Sequence, residues 1–158
     1  MKGILRARKI VHRLVYISTA KNLLDPAELE KLLLNARHNN LRDDITGMLI
    51  YHDGCFFQVL EGPEAAVRAC YGRICHDRRH GGSIVLMDDA ASSRLFGSWR
   101  MACCTFEGLT ALQKRQFIDL KMFADAVSKG GALDDAPKMK VILLAFFSAF
   151  RDLDVQAA

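Results

Sequence analysis

Phe56-Phe57-Gln58-Val59-Leu60-Glu61-Gly62 reads as a short buried strand with one member out of place. Successive side chains of an extended chain point to opposite faces, so Phe56, Gln58 and Leu60 share one side. Cys55, Phe57 and Val59 share the other. Both sides are otherwise apolar, which predicts a strand covered on both faces. Gln58 then carries a carboxamide into a place where an unpaired polar group costs about 1–3 kcal/mol. A primary amide has two N–H donors and an oxygen with two lone pairs, so its surroundings must supply matching groups. Neighbouring backbone alone can meet that demand.

Working outward, His52-Asp53-Gly54 carries the Asp-Gly signal of a hairpin, and Ile45 to Tyr51 is the partner strand. Gly62-Pro63 ends the central stretch. Pro63 suits the first turn of a helix running through Val67, Cys70, Tyr71, Ile74 and Cys75 to about Arg79, with Gly81-Gly82 as its break. Upstream, Arg13 to Ser18 is rich in β-branched and aromatic residues and predicts a first strand, with Leu14, Tyr16 and Ser18 on one face. Asp25-Pro26 starts a helix whose Leu29, Leu32, Leu33 and Ala36 recur at helical spacing to about His38. Asn39 to Asp44 is then a polar break.

Downstream, Ser83 to Met87 predicts a fourth strand, Asp88 to Arg94 a loop, and Phe96 to about Thr105 a fifth strand or extended segment. The order β-α-β-β-α-β(β) is that of an α+β, ferredoxin-like sheet with two helices on one face and right-handed crossovers. Leu109 to Val127 predicts a further helix and Ser128 to Ala132 a break. Asp135-Ala136-Pro137 opens a last helix from Lys138 to Leu153, apolar round much of its circumference. These two C-terminal helices should cover the second face of the sheet, or meet a partner through Phe146, Phe147 and Phe150. The division expected is a basic leader (1–11), an α+β unit (12–105) and a helical extension (106–158).

With 158 residues, 51% hydrophobic and 25% charged, the chain is long enough for one domain with a substantial core. The net charge of +4 is mild and is concentrated in Lys2, Arg6, Arg8, Lys9 and Arg13, a solvated basic leader without the apolar core of a secretory signal. The longest apolar run, Val141 to Phe147, is too short to cross a bilayer. A cytoplasmic protein is expected, with no membrane and no direct nucleic-acid partner. Five cysteines with no Cys-x-x-Cys spacing predict reduced thiols rather than a disulfide framework or zinc knuckle. His76 and His80 form an i,i+4 pair near Cys75, more in keeping with a solvated helix face than a metal site.

The topology makes the strands of Tyr16 and Gln58 neighbours in the sheet centre. Asn39 and Asn40 sit at the end of the first helix, and Arg73, Asp77 and His80 lie at i, i+4 and i+7 on the second. They would rim a cleft between the helices with Leu32, Phe56 and Ile74 in its walls. An apolar slot edged by a phenol, amides and a cation fits a flat, polar-edged ring with an anionic tail. Each residue alone has a plainer reading: Tyr16 as a core tyrosine, Asn39-Asn40 as a turn, Arg73 with Asp77 as a surface ion pair. Their convergence favours a site.

The sequence resembles the BLUF domain family of flavin-dependent blue-light sensors. The matching pieces are Leu14-Val15-Tyr16, Asn39-Asn40, Ile45-Thr46-Gly47 with Leu49, Phe56 to Pro63, Arg73-Ile74, Asp77-x-Arg79-His80 and Arg94-x-Phe96-x-x-Trp99-x-Met101. They span about residues 12 to 105. The resemblance implies a non-enzymatic photoreceptor with non-covalent FAD, or FMN, between the helices. Gln58 and Asn40, with Asn39 beside them, would bond the ring's polar edge, and Tyr16 would bond Gln58. Phe56, Leu32 and Ile74 would pack on the ring, and Arg73, Asp77 and His80 would lie toward the tail. Tyr16 and Gln58 would be photoactive, with Trp99 and Met101 relaying the change outward. His38 before the asparagine pair, and Ala36 where some relatives carry a hydroxyl, depart from the family pattern. A homo-oligomer and an unidentified downstream protein are the expected partners. Two rivals stand beside this reading: a light-insensitive ferredoxin-like ligand-binding module, and a thiol-adduct sensor of the LOV kind faintly echoed by Cys55-Phe56-Phe57-Gln58.

Overall fold

The computed structural model describes residues 10–97, 99–105, 118–130 and 133–150. Most of the basic leader, the expected helix start at 109–117, part of the glycine-containing break and the expected helix end at 151–153 lie outside the described residues. The order is β1 (Val11–Ala20), α1 (Pro26–Arg42), β2 (Thr46–His52), β3 (Cys55–Gly62), α2 (Glu64–Cys75), β4 (His80–Ala91), β5 (Ala102–Thr105), β6 (Ile118–Asp119), α3 (Leu120–Lys129) and α4 (Pro137–Ser148). The sheet runs β4-β1-β3-β2-β5-β6. β1 lies between β3 and β4 and is antiparallel to both. β2 is antiparallel to β3 and parallel to β5. The first four strands are thus a ferredoxin-like sheet, with β3 between β1 and β2.

β3 is covered on both faces, as its composition predicts. Phe56 and Leu60 join Leu14, Tyr16, Leu29, Leu33 and Leu49 in the core under α1 and α2. Phe57 and Val59 join Val15, Met48, Ile50, Ala124, Val127, Met139, Leu143 and Phe147 under α3 and α4. The last helix therefore uses Phe147 in the core, with Phe146 and Phe150 packed against it, rather than presenting all three to a partner. Asp53 and Gly54 both take positive φ (47° and 74°), the type I′ geometry that matches strand twist in a two-residue hairpin.

Several boundaries differ from the sequence reading, each for a local reason. β1 begins at Val11, inside the expected leader. α1 carries on through Asn39-Asn40 to Arg42 and stops where Asp44 turns left-handed (φ 55°). α2 ends at Cys75, because Asp77 Oδ1 captures the Arg79 N–H at 2.9 Å and turns the chain into β4. His80 is consequently the first residue of a strand and not a helical residue. β4 runs through Gly81-Gly82, with two register shifts against β1 absorbing the irregularity. β5 starts only at Ala102, and residues before it are looped. The short β6 lies within the expected helix Leu109–Val127, which begins as α3 at Leu120.

Candidate functional site

Tyr16 and Gln58 are direct cross-strand partners of β1 and β3. Their shared parity aims both at α1 and α2, and the Tyr16 hydroxyl donates to Gln58 Oε1. Gln58 is 6% exposed. Its Nε2 donates to Met101 Sδ at 3.4 Å, and a thioether is a weak acceptor. The amide therefore has a firm partner on its oxygen and a soft one on its nitrogen. Burial, helped by the nearby Cys70 and Tyr71, holds the Tyr16 phenol well above its ordinary pKa, so it is a neutral donor.

A cleft of about 740 Å³, counted out to its open mouth, lies above this pair between α1 and α2. Leu32, Asn39, Asn40, Gln58, Arg73, Ile74, Asp77 and His80 all line it, as the sequence leads one to expect. Tyr16 and Phe56 are fully buried and stand outside the lining. Tyr16 meets the cleft lining through its bond to Gln58, while the Phe56 ring packs beside His80 with centroids 4.5 Å apart. Asn35, Ala36, Leu49, Cys70 and Arg79 also line it. Helical spacing could have found two of these, since Asn35 lies one turn before Asn39 and Cys70 one turn before Ile74.

The last turn of α1 is fixed from below. Asn40 Nδ2 donates to the Arg100 carbonyl at 2.7 Å, and the Ile45 N–H returns to the Asn40 carbonyl at 2.8 Å. At the mouth, Arg73 pairs with Asp43 (2.9 Å) and not with Asp77. Asp77 is instead gripped by the Arg79 guanidinium, which lowers its pKa to about 2. His80 accepts or donates at Ser18 Oγ (3.0 Å), and burial pushes its pKa down despite Asp77 nearby. The apolar walls, the buried amide floor and a rim of two arginines, each paired with an aspartate, fit a planar ring with a polar edge and a charged tail.

Met101, 1% exposed, occupies the inner position beside Gln58. Trp99 is 40% exposed and stacks outside on Phe96, with centroids 5.9 Å apart. The cysteine of the thiol-adduct rival, Cys55, sits at the start of β3 on the parity opposite to Gln58. Among the described residues no group of three His, Cys, Asp or Glu side chains could hold a metal ion. Cys55, Cys70, Cys75 and Cys103 are free thiols. No helix among the described residues is long and apolar enough to cross a membrane.

Residues 11–102 match the family described as BLUF, sensors of blue-light using FAD. The blue light- and temperature-regulated antirepressor BluF of Escherichia coli K12 is 37% identical over 84 residues, covering 53% of this chain and 21% of that protein. The photoactivated adenylate cyclase subunit alpha of Euglena gracilis is 35% identical over 85 residues, 54% of this chain and 8% of its own. The chain thus spans 21% or less of these relatives. Among solved structures, the dark-state BLUF protein BlrB is 25% identical with a TM-score of 0.59, covering 87% of this chain and 98% of that one. A bacterial light-regulated adenylyl cyclase is 30% identical with a TM-score of 0.60, covering 91% and 36%. The Tyr16–Gln58–Met101 floor, the inter-helix cleft and the match over residues 11–102 lead to one conclusion: the chain belongs to the BLUF family of flavin-based blue-light sensors.

Proposed function

We propose that this chain senses blue light through FAD held between α1 and α2, with Tyr16, Gln58 and Met101 turning excitation into a change of hydrogen bonding. One observation carries the reading: the Tyr16 hydroxyl donates to Gln58 Oε1 at the buried floor of the cleft. Gln58, Asn40 and Asn39 would hold the polar edge of the ring, and Leu32 and Ile74 its faces, with Phe56 supporting His80. Arg73, Asp77 and His80 would attend the tail.

When bound and excited, a flavin supplies a one-electron oxidant. Tyr16 is the phenol set closest to the switching amide. Because burial opposes any charge on it, loss of an electron entails loss of the hydroxyl proton, which Gln58 Oε1 is placed to receive. When the electron returns, Tyr16 recovers its proton and the amide of Gln58 is left turned or tautomerised. A turned amide exchanges donor and acceptor on one small rotor, and the Met101 sulfur holds its nitrogen only weakly against that turn. The change then reaches Met101, whose carbonyl accepts from Arg37 Nε at 3.0 Å, and so the base of α1. Trp99, two residues away on the same segment, carries it to the surface. No catalytic turnover is assigned to the chain itself. Its output passes to a separate protein, in the cytoplasm and from a homo-oligomer.

The test is a light-minus-dark absorption spectrum of the purified protein, with mass analysis of the released flavin. A small red shift of the visible band that reverses in the dark is expected, and FAD rather than FMN. Gln58→Leu should retain flavin and lose the shift. A shift that persists in Gln58→Leu overturns the role of the amide. A flavin-bound protein with no shift at all returns the chain to a light-insensitive ligand-binding module.

A further inference from the structure

Glu61 is fully buried on β3, three residues beyond Gln58 and on the opposite face of the sheet. A carboxylate in that position requires strong donors, and it has three. Arg13 Nε reaches Oε1 at 2.8 Å, the Leu95 N–H reaches Oε1 at 2.9 Å, and the Phe96 N–H reaches Oε2 at 3.0 Å. Arg13 is itself bound at its far end, donating to the Ser93 carbonyl at 3.0 Å. Between these contacts Arg94 donates to Thr46 Oγ1 (2.9 Å) and to the backbone carbonyls of Glu61 (3.2 Å) and Asp44 (2.9 Å). Four successive residues, 93 to 96, are therefore held to the ends of β1, β2 and β3.

That hold has a consequence five residues further on. The Trp99 N–H donates to the Phe96 carbonyl at 2.9 Å, the Gly47 N–H donates to the Trp99 carbonyl at 3.0 Å, and Met101 follows with its sulfur on Gln58. β2 is paired with β3 along its length, and at Gly47 the two strands lie so close that a side chain there would run into the Val59 carbonyl. The described residues between Ser93 and Met101 thus meet Glu61 at one end and the amide of Gln58 at the other.

We propose, resting on the assignment of Gln58 as the switching amide, that Glu61 with Arg13 is a positioning pair for the light response. By anchoring Leu95 and Phe96 it sets where Met101 meets Gln58, and it is the fixed point against which the turn of the amide moves Met101. Glu61 lines no part of the cleft, and two of its three side-chain contacts fall on the loop, at Leu95 and Phe96.

The experiment uses Glu61→Gln in the flavin-loaded, dark-adapted protein. Residue-resolved amide hydrogen exchange should speed up at least tenfold at Leu95 and Phe96, without light. The red shift should keep its amplitude while dark recovery changes at least threefold. Leu143→Ala, in the core under α4, serves as a control brought to matched thermal stability, and its recovery should stay within 1.5-fold of the unaltered protein. Should Glu61→Gln fail to fold, Arg13→Gln is judged by dark recovery against the same control, since it leaves the carboxylate its two backbone donors and need not quicken exchange at Leu95 and Phe96. Recovery that stays unchanged, or that follows the stability-matched control, overturns the proposal even where exchange at 95 and 96 quickens. Absence of any red shift in the unaltered protein is a different result, defeating the assignment of Gln58 and this pair's role with it.

Discussion

On the side of α1 and α2, β3 sends Phe56, Gln58 and Leu60 inward; on the side of α3 and α4 it sends Phe57 and Val59. The first face keeps a polar group in mid-strand, bonded to a buried phenol and a thioether. The second confines its buried polar side chains to strand ends: Thr46 and His52 at the two ends of β2, Glu61 next to the last residue of β3. The β3 side chains are buried on both faces, so the contrast is not one of burial. It is one of what burial is used for. Under α3 and α4, close apolar packing fixes the strand. Under α1 and α2, the same rigid strand presents an amide whose two ends can be exchanged at little steric cost.

This contrast breaks if stability and light response cannot be separated by face. The largest stability effect is expected from Phe147→Ala, which empties a fully buried ring site among Val15, Ile50 and Phe57. Such truncations cost about 3–5 kcal/mol. Chemical denaturation should show that loss, with the red shift of the remaining folded protein unaltered in size. Tyr16→Phe should reverse the pattern. It removes one hydroxyl and leaves Gln58 Oε1 without its donor, a cost of about 1–3 kcal/mol, while the red shift disappears entirely. A Tyr16→Phe protein that still shifts would show that the two faces are not specialised as described.

How much of this was legible in the sequence follows the same division. The period-2 pattern of β3 reports both of its faces correctly, because alternation alone sends successive side chains to opposite sides and both sets from Phe56 to Leu60 are apolar apart from Gln58. That the strands of Tyr16 and Gln58 are neighbours follows from topology, their bond from the family resemblance, and eight of the cleft residues from parity, helical spacing and that resemblance. What local patterns miss is decided by distant partners. Asn39-Asn40 looks like a break, yet stays helical because Asn40 is bonded to Arg100, sixty residues later. His80 looks like a third turn of α2, yet heads β4 because the Asp77–Arg79 contact turns the chain first. Gly81-Gly82 looks like a terminator, yet sits inside a long edge strand that pairs with β1 around its irregularities. Phe96 to Met101 looks extended, yet the loop at Phe96 is held by Glu61 and strand pairing starts only at Ala102. Whether Trp99 or Met101 turns inward depends on that loop, and no periodicity reports it.

A smaller effect sharpens the comparison by pH. His80 sits in the cleft against Phe56, Ser18, Asp77 and Arg79, with a pKa lowered chiefly by burial. A base whose folded pKa is depressed binds fewer protons folded than unfolded, so acid favours unfolding. Its contribution is intact above the unfolded histidine value of about 6.5 and is lost as pH falls from there through the lowered folded value. Melting temperature should therefore decline between pH 7.5 and 5, and His80→Asn should flatten part of that slope. An unchanged slope would mean that the histidine's surroundings on the cleft side do not titrate with folding.

The smallest expected effect belongs to Trp99. Its indole is 40% exposed and stacked on Phe96, whose own N–H is held by Glu61. Its backbone, not its side chain, joins the sheet, through the Gly47 N–H. Trp99→Ala should thus lower stability by under about 1 kcal/mol, since a partly exposed ring forfeits only part of its burial. The red shift should remain, because Met101 and not the indole is the neighbour of Gln58. Met101→Ala, by contrast, removes the acceptor of Gln58 Nε2 and should change the dark recovery several-fold. If the two variants exchanged these outcomes, with recovery following the indole and ignoring the sulfur, the inner position would belong to Trp99 in the working protein. The amide's weakly held nitrogen, on which the ease of its turning depends, would then need another partner.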